Sequence, residues 1–286
     1  MPTQINTPVD PTSVKLQKAL AMEGLGSRRT METWIREGVV EVNGQVAEIG
    51  MRVQAQDSIS VRGKTLKRTG KVRPRICMMN KLTGWEVSVK PSTNARSAFD
   101  FLPSLTNGRW LNVGRLDINT SGLILFTNDG NIANLLMHPS TGIDREYAVR
   151  INRELSESVL ERLLKGVAIE GKHMRFSDIQ YYDGSENNHW YHVVLLEGRN
   201  REVRRLFESQ GVLVSRLKRV RFGPVILPSW LQRGKTMELN PADVNSLCKL
   251  IGVDNPRPQN RKEKEKGNTR EETRSVLIPY PNLEPS

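Results

Sequence analysis

The segment 114–122, with the sequence GRLDINTSG, has a composition that suits chemistry. It places Asp117 beside Arg115 and a run of amide and hydroxyl side chains. A nearby cation and hydrogen-bond donors stabilise an ionised carboxylate, so Asp117 is a candidate nucleophile. The apolar run 123–126 follows and predicts a buried strand, a rigid support for a functional loop. An ordinary turn before a strand would show the same spacing, so spacing alone leaves both interpretations open.

The patterns of the common cofactor sites are missing from the sequence. It contains no GxxxxGK[ST] loop, no convincing dinucleotide fingerprint and no GxSxG elbow of a serine hydrolase. The four histidines lack metal-ligand spacing with cysteine partners. We therefore predict a reaction that uses no cofactor and no metal.

Positive charge is concentrated in two parts of the chain. The 286 residues carry a formal net charge of +12, of which residues 1–75 hold +6 and residues 196–223 hold +5. Residues 76–195 sum to −1. Dense positive charge favours a polyanionic partner, because neutralised phosphates release counterions. We predict nucleic-acid contact at both basic segments in preference to two solvated helix faces.

Cysteine usage and hydropathy indicate the compartment. Cys77 and Cys248 are too few for a disulfide framework and suit a reducing environment. No apolar run approaches the roughly 20 residues of a membrane span, and the N-terminus lacks the basic start and apolar core of a secretory signal. The sequence shows neither heptads nor a wide apolar stripe. We therefore expect a soluble, cytoplasmic monomer with no membrane contact.

The N-terminal part of the chain predicts a small module of two helices and a hairpin. Apolar spacing predicts helices over residues 14–23 and 28–37, the second with Ser27 as N-cap. Asn43-Gly44 lies between two β-like runs and indicates a hairpin, and residues 57–61 alternate like a strand. The predicted organisation is a flexible lead-in (1–13), the module (14–63) and a basic linker (64–75).

The remainder mixes strands and helices without a strict β-α-β repeat, which favours an α+β fold with a mixed sheet. We predict this second domain over residues 76–250. The composition after about residue 255 is rich in Pro, Lys, Arg and Glu, so we predict a flexible charged tail over 251–286. The predicted strands are 122–127, 146–151, 191–196 and 212–220, and the predicted helices are 131–138, 156–165 and 201–210.

Several motifs together resemble the RNA pseudouridine synthases of the RsuA/RluB family. GRLDINTSGL at 114–123 is similar to the family's catalytic motif G-R-L-D-x-x-[ST]-x-G-L. Arg145-Glu146-Tyr147 is similar to the second motif, and GRNREVRR at 198–205 to the third. The segment 14–63, with its SRR and VNG sequences, resembles the alpha-L RNA-binding domain first seen in a small-subunit ribosomal protein. The resemblance extends from about residue 14 to about residue 250.

The resemblance implies roles for particular residues. Asp117 would be the nucleophile, Tyr147 would stack on the target uracil and assist proton transfer, and Leu217 would pack beneath the base. Arg204 would form an ion pair with Asp117 and keep it charged. Arg115 would help to hold the flipped nucleotide. The other RNA-contacting residues that the resemblance implies are Lys15, Ser27, Arg28, Arg29, Asn43, Arg199, Arg201, Arg205 and Arg216.

The implied fold is a small alpha-L RNA-binding domain followed by a catalytic domain with a mixed, mainly antiparallel sheet. The implied activity is isomerisation of uridine to pseudouridine in ribosomal RNA, without a metal or cofactor. The segments at 135–140, 197–208 and 214–223 are nearest to the RluB branch. That branch implies large-subunit (23S) rRNA, naked or in a precursor particle, with uridine 2605 as the target.

Two other interpretations stay open at this point. One is a sister enzyme with another uridine target, such as the small-subunit RsuA or the RluF type. The other is a non-catalytic RNA-binding factor in ribosome assembly. The sequence also leaves open whether Asp117 attacks ribose or the uracil ring. One departure from the family pattern is Leu82, which follows Lys81 where relatives carry the proline of Lys-Pro-x-Gly.

Overall fold

The computed structural model describes residues 13–67, 73–92, 94–106, 108–253 and 274–281. Contacts between Cα atoms divide the chain into two compact units. The first contains Met1–Val72 and Ser104–Arg109, and the second contains Arg73–Pro103 and Trp110–Ser286. Within the described ranges, no helix is both long and apolar enough to cross a membrane.

The first unit buries one face of two short helices against small sheets. Leu16, Leu20 and Met31 are fully buried in this core. The second helix starts at its predicted cap, because the Ser27 hydroxyl accepts a hydrogen bond from the Thr30 amide at 3.0 Å. The elements are β1 (Val14–Lys15), α1 (Leu16–Met22), α2 (Arg28–Arg36), β2 (Val40–Val42), β3 (Gln45–Val46), β4 (Arg52–Val53), β5 (Ile59–Val61) and β6 (Lys64–Thr65).

The predicted hairpin is present in the first unit. Asn43 and Gly44 have φ values of 52° and 81°, the left-handed conformations that a tight two-residue turn requires. The Asn43 side chain also joins this turn to the next strand, since it donates to Asp57 at 3.0 Å and accepts from the Ser58 amide at 2.9 Å. The four-stranded sheet has the order β3-β2-β5-β6.

Two predictions for the first unit were wrong. The predicted helix 14–23 begins only at Leu16, because Val14 and Lys15 form an antiparallel ladder with Val53 and Arg52. The predicted linker 64–75 contains a strand, since β6 pairs with β5. For β1 a distant strand supplies the backbone partners, which helical periodicity does not report. For β6 the partner is the preceding strand, joined to it by a two-residue turn at Arg62 and Gly63, and the basic composition of the segment concealed this hairpin.

The second unit is built on one large sheet. Its order is β15-β16-β12-β17-β11-β7-β19, with β10 beside β11 and β18 beside β17. Every pair in this sheet is antiparallel except β11 with β17. The strands are β7 (Ile76–Lys81), β8 (Trp85–Glu86), β9 (Arg96–Ser97), β10 (Leu111–Val113), β11 (Ser121–Thr127), β12 (Arg145–Ile151), β13 (Val167–Ile169), β14 (Lys172–Met174), β15 (Asp178–Ser185), β16 (Asn188–Leu195), β17 (Val214–Phe222), β18 (Val225–Ile226) and β19 (Thr236–Glu238).

Among the described residues, four helices accompany this sheet, with two short 3₁₀ turns at Ala98–Phe101 and Pro139–Thr141. Three of the helices match predicted ones within one or two residues at each end. The prediction missed the fourth, α6, which begins at the Asn240 cap, and several strands, β7 and β15 among them. The helices are α3 (Gly130–Met137), α4 (Glu157–Lys165), α5 (Glu202–Glu208) and α6 (Pro241–Leu250).

The predicted flexible tail 251–286 was partly wrong. Within residues 274–281, Val276 is 2% exposed and belongs to the main core of the second unit. Its amide and the Ser275 hydroxyl both donate to the buried carboxylate of Asp243. The Tyr280 hydroxyl donates to Asp144 at 3.0 Å. A few apolar residues after a long polar stretch are enough to anchor a segment.

Candidate active site

Asp117 lies in the loop between β10 and β11, at the edge of a cavity in the second unit. The loop closes on itself through a hydrogen bond from the Thr120 amide to the Asp117 carbonyl at 3.0 Å. The Gly84 amide binds the Ile118 carbonyl at 2.8 Å and ties the loop to the turn after β7. Half-buried Asp117 therefore stands on a braced loop, which leads into the buried strand β11 that the sequence predicted.

Tyr147 reaches the same cavity from β12 and is 9% exposed. Glu146 lies opposite Arg221 on β17, but Tyr147 lies opposite Arg219, so the register shifts by one residue between them. Such bulges redirect side chains and are frequent next to active sites. The bulge places Tyr147 directly opposite Arg219, and both residues line the cavity.

Leu217 lines the cavity from β17 and is 6% exposed. The parallel contact of β11 with β17 brings this strand beside the loop that carries Asp117. The Ser121 hydroxyl reinforces the contact, since it donates to the Leu217 carbonyl at 3.3 Å. An apolar side chain is therefore held at the cavity wall, within reach of the loop that carries Asp117.

The cavity has a volume of about 450 Å³. It brings together six of the residues that the sequence nominated. These are Asp117, Tyr147 and Leu217, with Arg115, Arg199 and Arg201. Residues far apart in the sequence thus share one site. Arg204, the fourth residue for which the resemblance implies a catalytic role, does not line the cavity.

The predicted ion pair between Arg204 and Asp117 is not formed between these two described residues. Arg204 is buried on α5 and instead donates to the carbonyl of Asn119 at 3.0 Å and to that of Val214 at 2.8 Å. Burial lowers the pKa of its guanidinium, and the negative charge of Asp117 partly opposes this effect. Arg204 therefore braces the backbone of the loop that carries Asp117, and it acts on the Asp117 carboxylate across a longer distance.

The cavity wall carries more positive than negative charge. Arg115, Arg145, Arg199, Arg201 and Arg219 line it, against the carboxylates of Asp117 and Glu202. Burial raises the pKa of Glu202, and the hydrogen bond from the Arg199 amide opposes this shift. The surplus of guanidinium groups suits a ligand with phosphate groups, because each group offers several fixed donors.

Lys81 is a charged residue near the site that the sequence did not nominate. Its side chain is fully buried, and its ammonium donates to the Leu82 carbonyl at 2.8 Å. Burial lowers the pKa of Lys81 to about 8, and the attraction of Asp117 opposes that shift. The only sequence signal for Lys81 was its place in the segment that departs from Lys-Pro-x-Gly.

Arg145, Arg219 and Glu202 were also missed as site residues. Each is buried and lines the cavity. Each lies inside or beside a segment that resembled a family motif, so motif membership was the available signal. Burial of a charged side chain depends on neighbours from other strands, and the local pattern does not contain that information.

The other nominated RNA-contacting residues lie away from the cavity lining. Arg216 is exposed on β17, and Arg205 on α5 forms an ion pair with Glu170 at 2.6 Å. The nominated RNA-contacting residues of the first unit are exposed, except Ser27, which is half-buried. They are Lys15, Ser27, Arg28, Arg29 and Asn43. Their contact with RNA stays a prediction.

Metal binding was not expected from the sequence. Among the described residues, no three His, Cys, Asp or Glu side chains are grouped so that they could hold a metal ion. The absence of a cofactor stays a prediction.

Comparison with known proteins assigns the class to which this fold and site belong. The profile of the RNA pseudouridylate synthase family matches residues 75–209, which contain Asp117, Tyr147 and Arg204. The S4 domain profile matches residues 14–59. A crystal structure of a pseudouridylate synthase superposes with a TM-score of 0.57 at 23% identity, covering 82% of this chain and 99% of that chain. These matches confirm the predicted α+β fold and its mainly antiparallel sheet.

Curated relatives carry the name ribosomal large subunit pseudouridine synthase B. The protein of Pseudomonas aeruginosa is 53% identical over 85% of this chain and 64% of its own length. That of Haemophilus influenzae is 47% identical over 84% and 68%, and that of Vibrio cholerae 46% identical over 84% and 75%. This chain therefore belongs to the RNA pseudouridylate synthase family, as its motifs predicted. It spans about two thirds of the length of these relatives.

Proposed function

We propose that this protein isomerises a uridine of large-subunit ribosomal RNA to pseudouridine, with Asp117 as the nucleophile. The observation that carries the proposal is the convergence of Asp117, Tyr147 and Leu217 on one cavity. The names of the relatives support both the reaction and the class of RNA. The predicted target, uridine 2605 of 23S rRNA, belongs to this proposal.

The chemistry of the isomerisation matches the side chains at the cavity. The bond between N1 of uracil and C1′ of ribose breaks, and a bond between C5 and C1′ forms. One proton leaves C5 and one is gained at N1, so no oxidant, reductant or second substrate is needed. A carboxylate can act as nucleophile, a phenol can transfer a proton, and an apolar side chain can support the turning base. Attack by Asp117 at ribose and attack at the uracil ring are both compatible with this set.

A uridine inside a helix must leave its stack before any group can reach its glycosidic bond. Flipping costs a few kcal/mol, least where pairing is weak, so a loop or bulge is the expected substrate. The cavity volume of about 450 Å³ lies within the usual range for small-molecule sites, roughly 300–1,000 Å³. Arg115, Arg199 and Arg201 would hold the flanking phosphates, and the basic first unit would add sequence-independent affinity.

The test is pseudouridine mapping on rRNA incubated with the purified protein. Wild-type protein and three variants, Asp117→Asn, Asp117→Glu and Asp178→Asn, would be compared on 23S rRNA, 16S rRNA and large-subunit precursor particles. Asp178 is exposed on β15 and lines no part of the cavity, so it is the matched control. We expect a loss on the order of 10³-fold or more for both Asp117 variants and little change for Asp178→Asn.

Each alternative has a distinct outcome in this assay. Modification of 16S rRNA, or of a different 23S uridine, would identify a sister enzyme. Tight RNA binding by the wild-type protein without any pseudouridine would identify a non-catalytic assembly factor. Equal modification by wild type and Asp117→Asn would remove Asp117 as the nucleophile. The proposal also includes a cytoplasmic monomer, and light scattering of the protein alone and with RNA tests its oligomeric state.

A further inference from the structure

We propose that Arg219 is a positioning residue that acts through Tyr147, and this inference rests on the proposed function. Its guanidinium holds the phenol of Tyr147 in place and stabilises negative charge on the phenol oxygen during proton transfer. The two residues oppose each other across β12 and β17 as a result of the bulge after Glu146. Without that shift, Tyr147 would face Val220 instead.

The guanidinium of Arg219 is fixed in place. The side chain is 3% exposed, and its Nε donates to the Leu123 carbonyl at 2.7 Å. The central carbon of the guanidinium lies 5.3 Å from the centre of the Phe222 ring. The backbone of Arg219 is also held, because it lies against Gly122 of the neighbouring strand β11. A guanidinium held by a hydrogen bond and by an aromatic ring, on a backbone that is itself paired, offers a preorganised charge, and preorganisation makes a charge effective in catalysis.

The charge of Arg219 is buried without a carboxylate partner among the described residues. Burial lowers its pKa, and electrostatic interaction with Tyr147 opposes that shift. Its Nη2 is buried and makes no hydrogen bond of good geometry with any described residue. Arg145 adds a second buried cation at the same wall, with its guanidinium 5.2 Å from the centre of the Phe222 ring.

An unneutralised buried cation is expensive for a protein to keep. If Arg219 only filled space between two strands, an apolar side chain of similar size would serve at lower free energy. A functional use explains the cost, because perturbed buried charges concentrate at active sites. Tyr147 lies opposite Arg219 and has a phenol oxygen suited to moving a proton from C5 toward N1. The guanidinium would stabilise negative charge as it develops on the phenol oxygen, without having to move first.

The experiment is a double-mutant cycle between Arg219 and Tyr147. Single-turnover rates at saturating rRNA would be measured for wild type, Arg219→Gln, Tyr147→Phe and the double variant. Loss of one preorganised donor typically lowers kcat by about 10²-fold, so we expect that loss for R219Q with KM changed less than about threefold. In the Y147F background, R219Q should add less than about threefold. Arg219→Lys keeps the charge and should recover about tenfold relative to R219Q.

Arg221→Gln is the matched control. Arg221 is half-buried on the same strand, but it pairs with Asp144 and Glu146 and lines no part of the cavity. R221Q should change the rate by the same factor in the wild-type protein and in the Tyr147→Phe variant. Where R219Q does not fold, R219K replaces it in the cycle. Where Y147F has no measurable rate, ¹⁹F spectra of fluorotyrosine-labelled protein give the readout, with a shift of the Tyr147 signal expected for R219Q and none for R221Q.

The outcomes separate this inference from the function on which it rests. An active wild type with equal losses for R219Q in both backgrounds would show that Arg219 does not act through Tyr147. If the rate loss of R219Q equalled the fraction of that variant that is unfolded, the positioning role of Arg219 would also be overturned. A wild type that makes no pseudouridine on any rRNA would instead overturn the proposed function itself.

Discussion

Gly122 lies so close to the backbone of Arg219 that a Cβ atom built on Gly122 would be 2.2 Å from the Arg219 carbonyl oxygen and 2.9 Å from its amide nitrogen. Gly122 also has a φ of 97°. Both features require glycine, and together they allow β11 to run parallel beside β17. The loop that carries Asp117 and the cavity wall that carries Leu217 and Arg219 therefore meet at one residue without a side chain.

We predict that Gly122→Ala destabilises the second unit by more than about 3 kcal/mol and abolishes pseudouridine formation. The added methyl group meets backbone, which cannot move aside as a flexible side chain can. Gly171→Ala is the control, because Gly171 has a φ of 71° but open space where a methyl group would lie. It should cost only about 1–2 kcal/mol, the penalty of the left-handed conformation. Urea unfolding followed by circular dichroism measures both values, and equal losses would refute the steric argument.

Arg204→Lys should lower kcat by about 10–100-fold and leave RNA affinity nearly unchanged. Arg204 binds the carbonyls of Val214 and Asn119 through two separate nitrogens, and the single nitrogen of a lysine does not reproduce this geometry, so the loop that carries Asp117 loosens. Arg162→Lys is a suitable control, since Arg162 binds Gln210 on an exposed surface. Single-turnover kinetics with a parallel binding assay separate the two effects. A loss of affinity with an unchanged rate would assign Arg204 to RNA binding instead.

Lys81 should make stability depend on pH. Its pKa is about 8 in the folded protein against an ordinary value of 10.5, so between these values the unfolded chain binds a proton that the folded chain lacks. Unfolding free energy therefore rises with pH across this window, by on the order of 2 kcal/mol between pH 8 and 9.5. Well below pH 8, Lys81 is protonated in both the folded and the unfolded chain, and the folded protein carries the full free-energy cost of burying the ammonium. Lys81→Met should lack this contribution, which urea titrations at several pH values would measure. A difference between wild type and Lys81→Met that stays constant with pH would contradict the prediction.

Deletion of residues 274–286 should destabilise the second unit by about 3 kcal/mol or more. The deletion removes the buried side chain of Val276 from the core and two donors from the buried carboxylate of Asp243. Deletion of residues 282–286 alone keeps all of these contacts and is the matched control. Thermal and urea unfolding of the two truncated proteins test the difference, and equal stability would show that the segment is dispensable.

Much of the local structure could be predicted from short stretches of sequence. The Ser27 cap, the Asn43-Gly44 turn and helix α4 depend on residues within a few positions of one another, so the chain itself contains the causes. Motifs likewise identified Asp117, Tyr147 and Leu217 as a set, and the cavity brings these three together. A motif reports residue types at fixed spacing, which is enough to nominate a site.

By itself, then, the sequence determined the α+β class, the positions of most helices and the family, and it nominated the three residues that the cavity brings together. Tertiary structure decided the contacts that join distant segments. Arg204 binds Asn119 and not the Asp117 carboxylate, Val14–Lys15 is a strand because Arg52–Val53 lies beside it, and Val276 reaches the core. The meeting of Tyr147 with Arg219 depends on a bulge between two strands that lie far apart in the chain. Such contacts depend on register and close approach, and residue spacing along the chain contains neither.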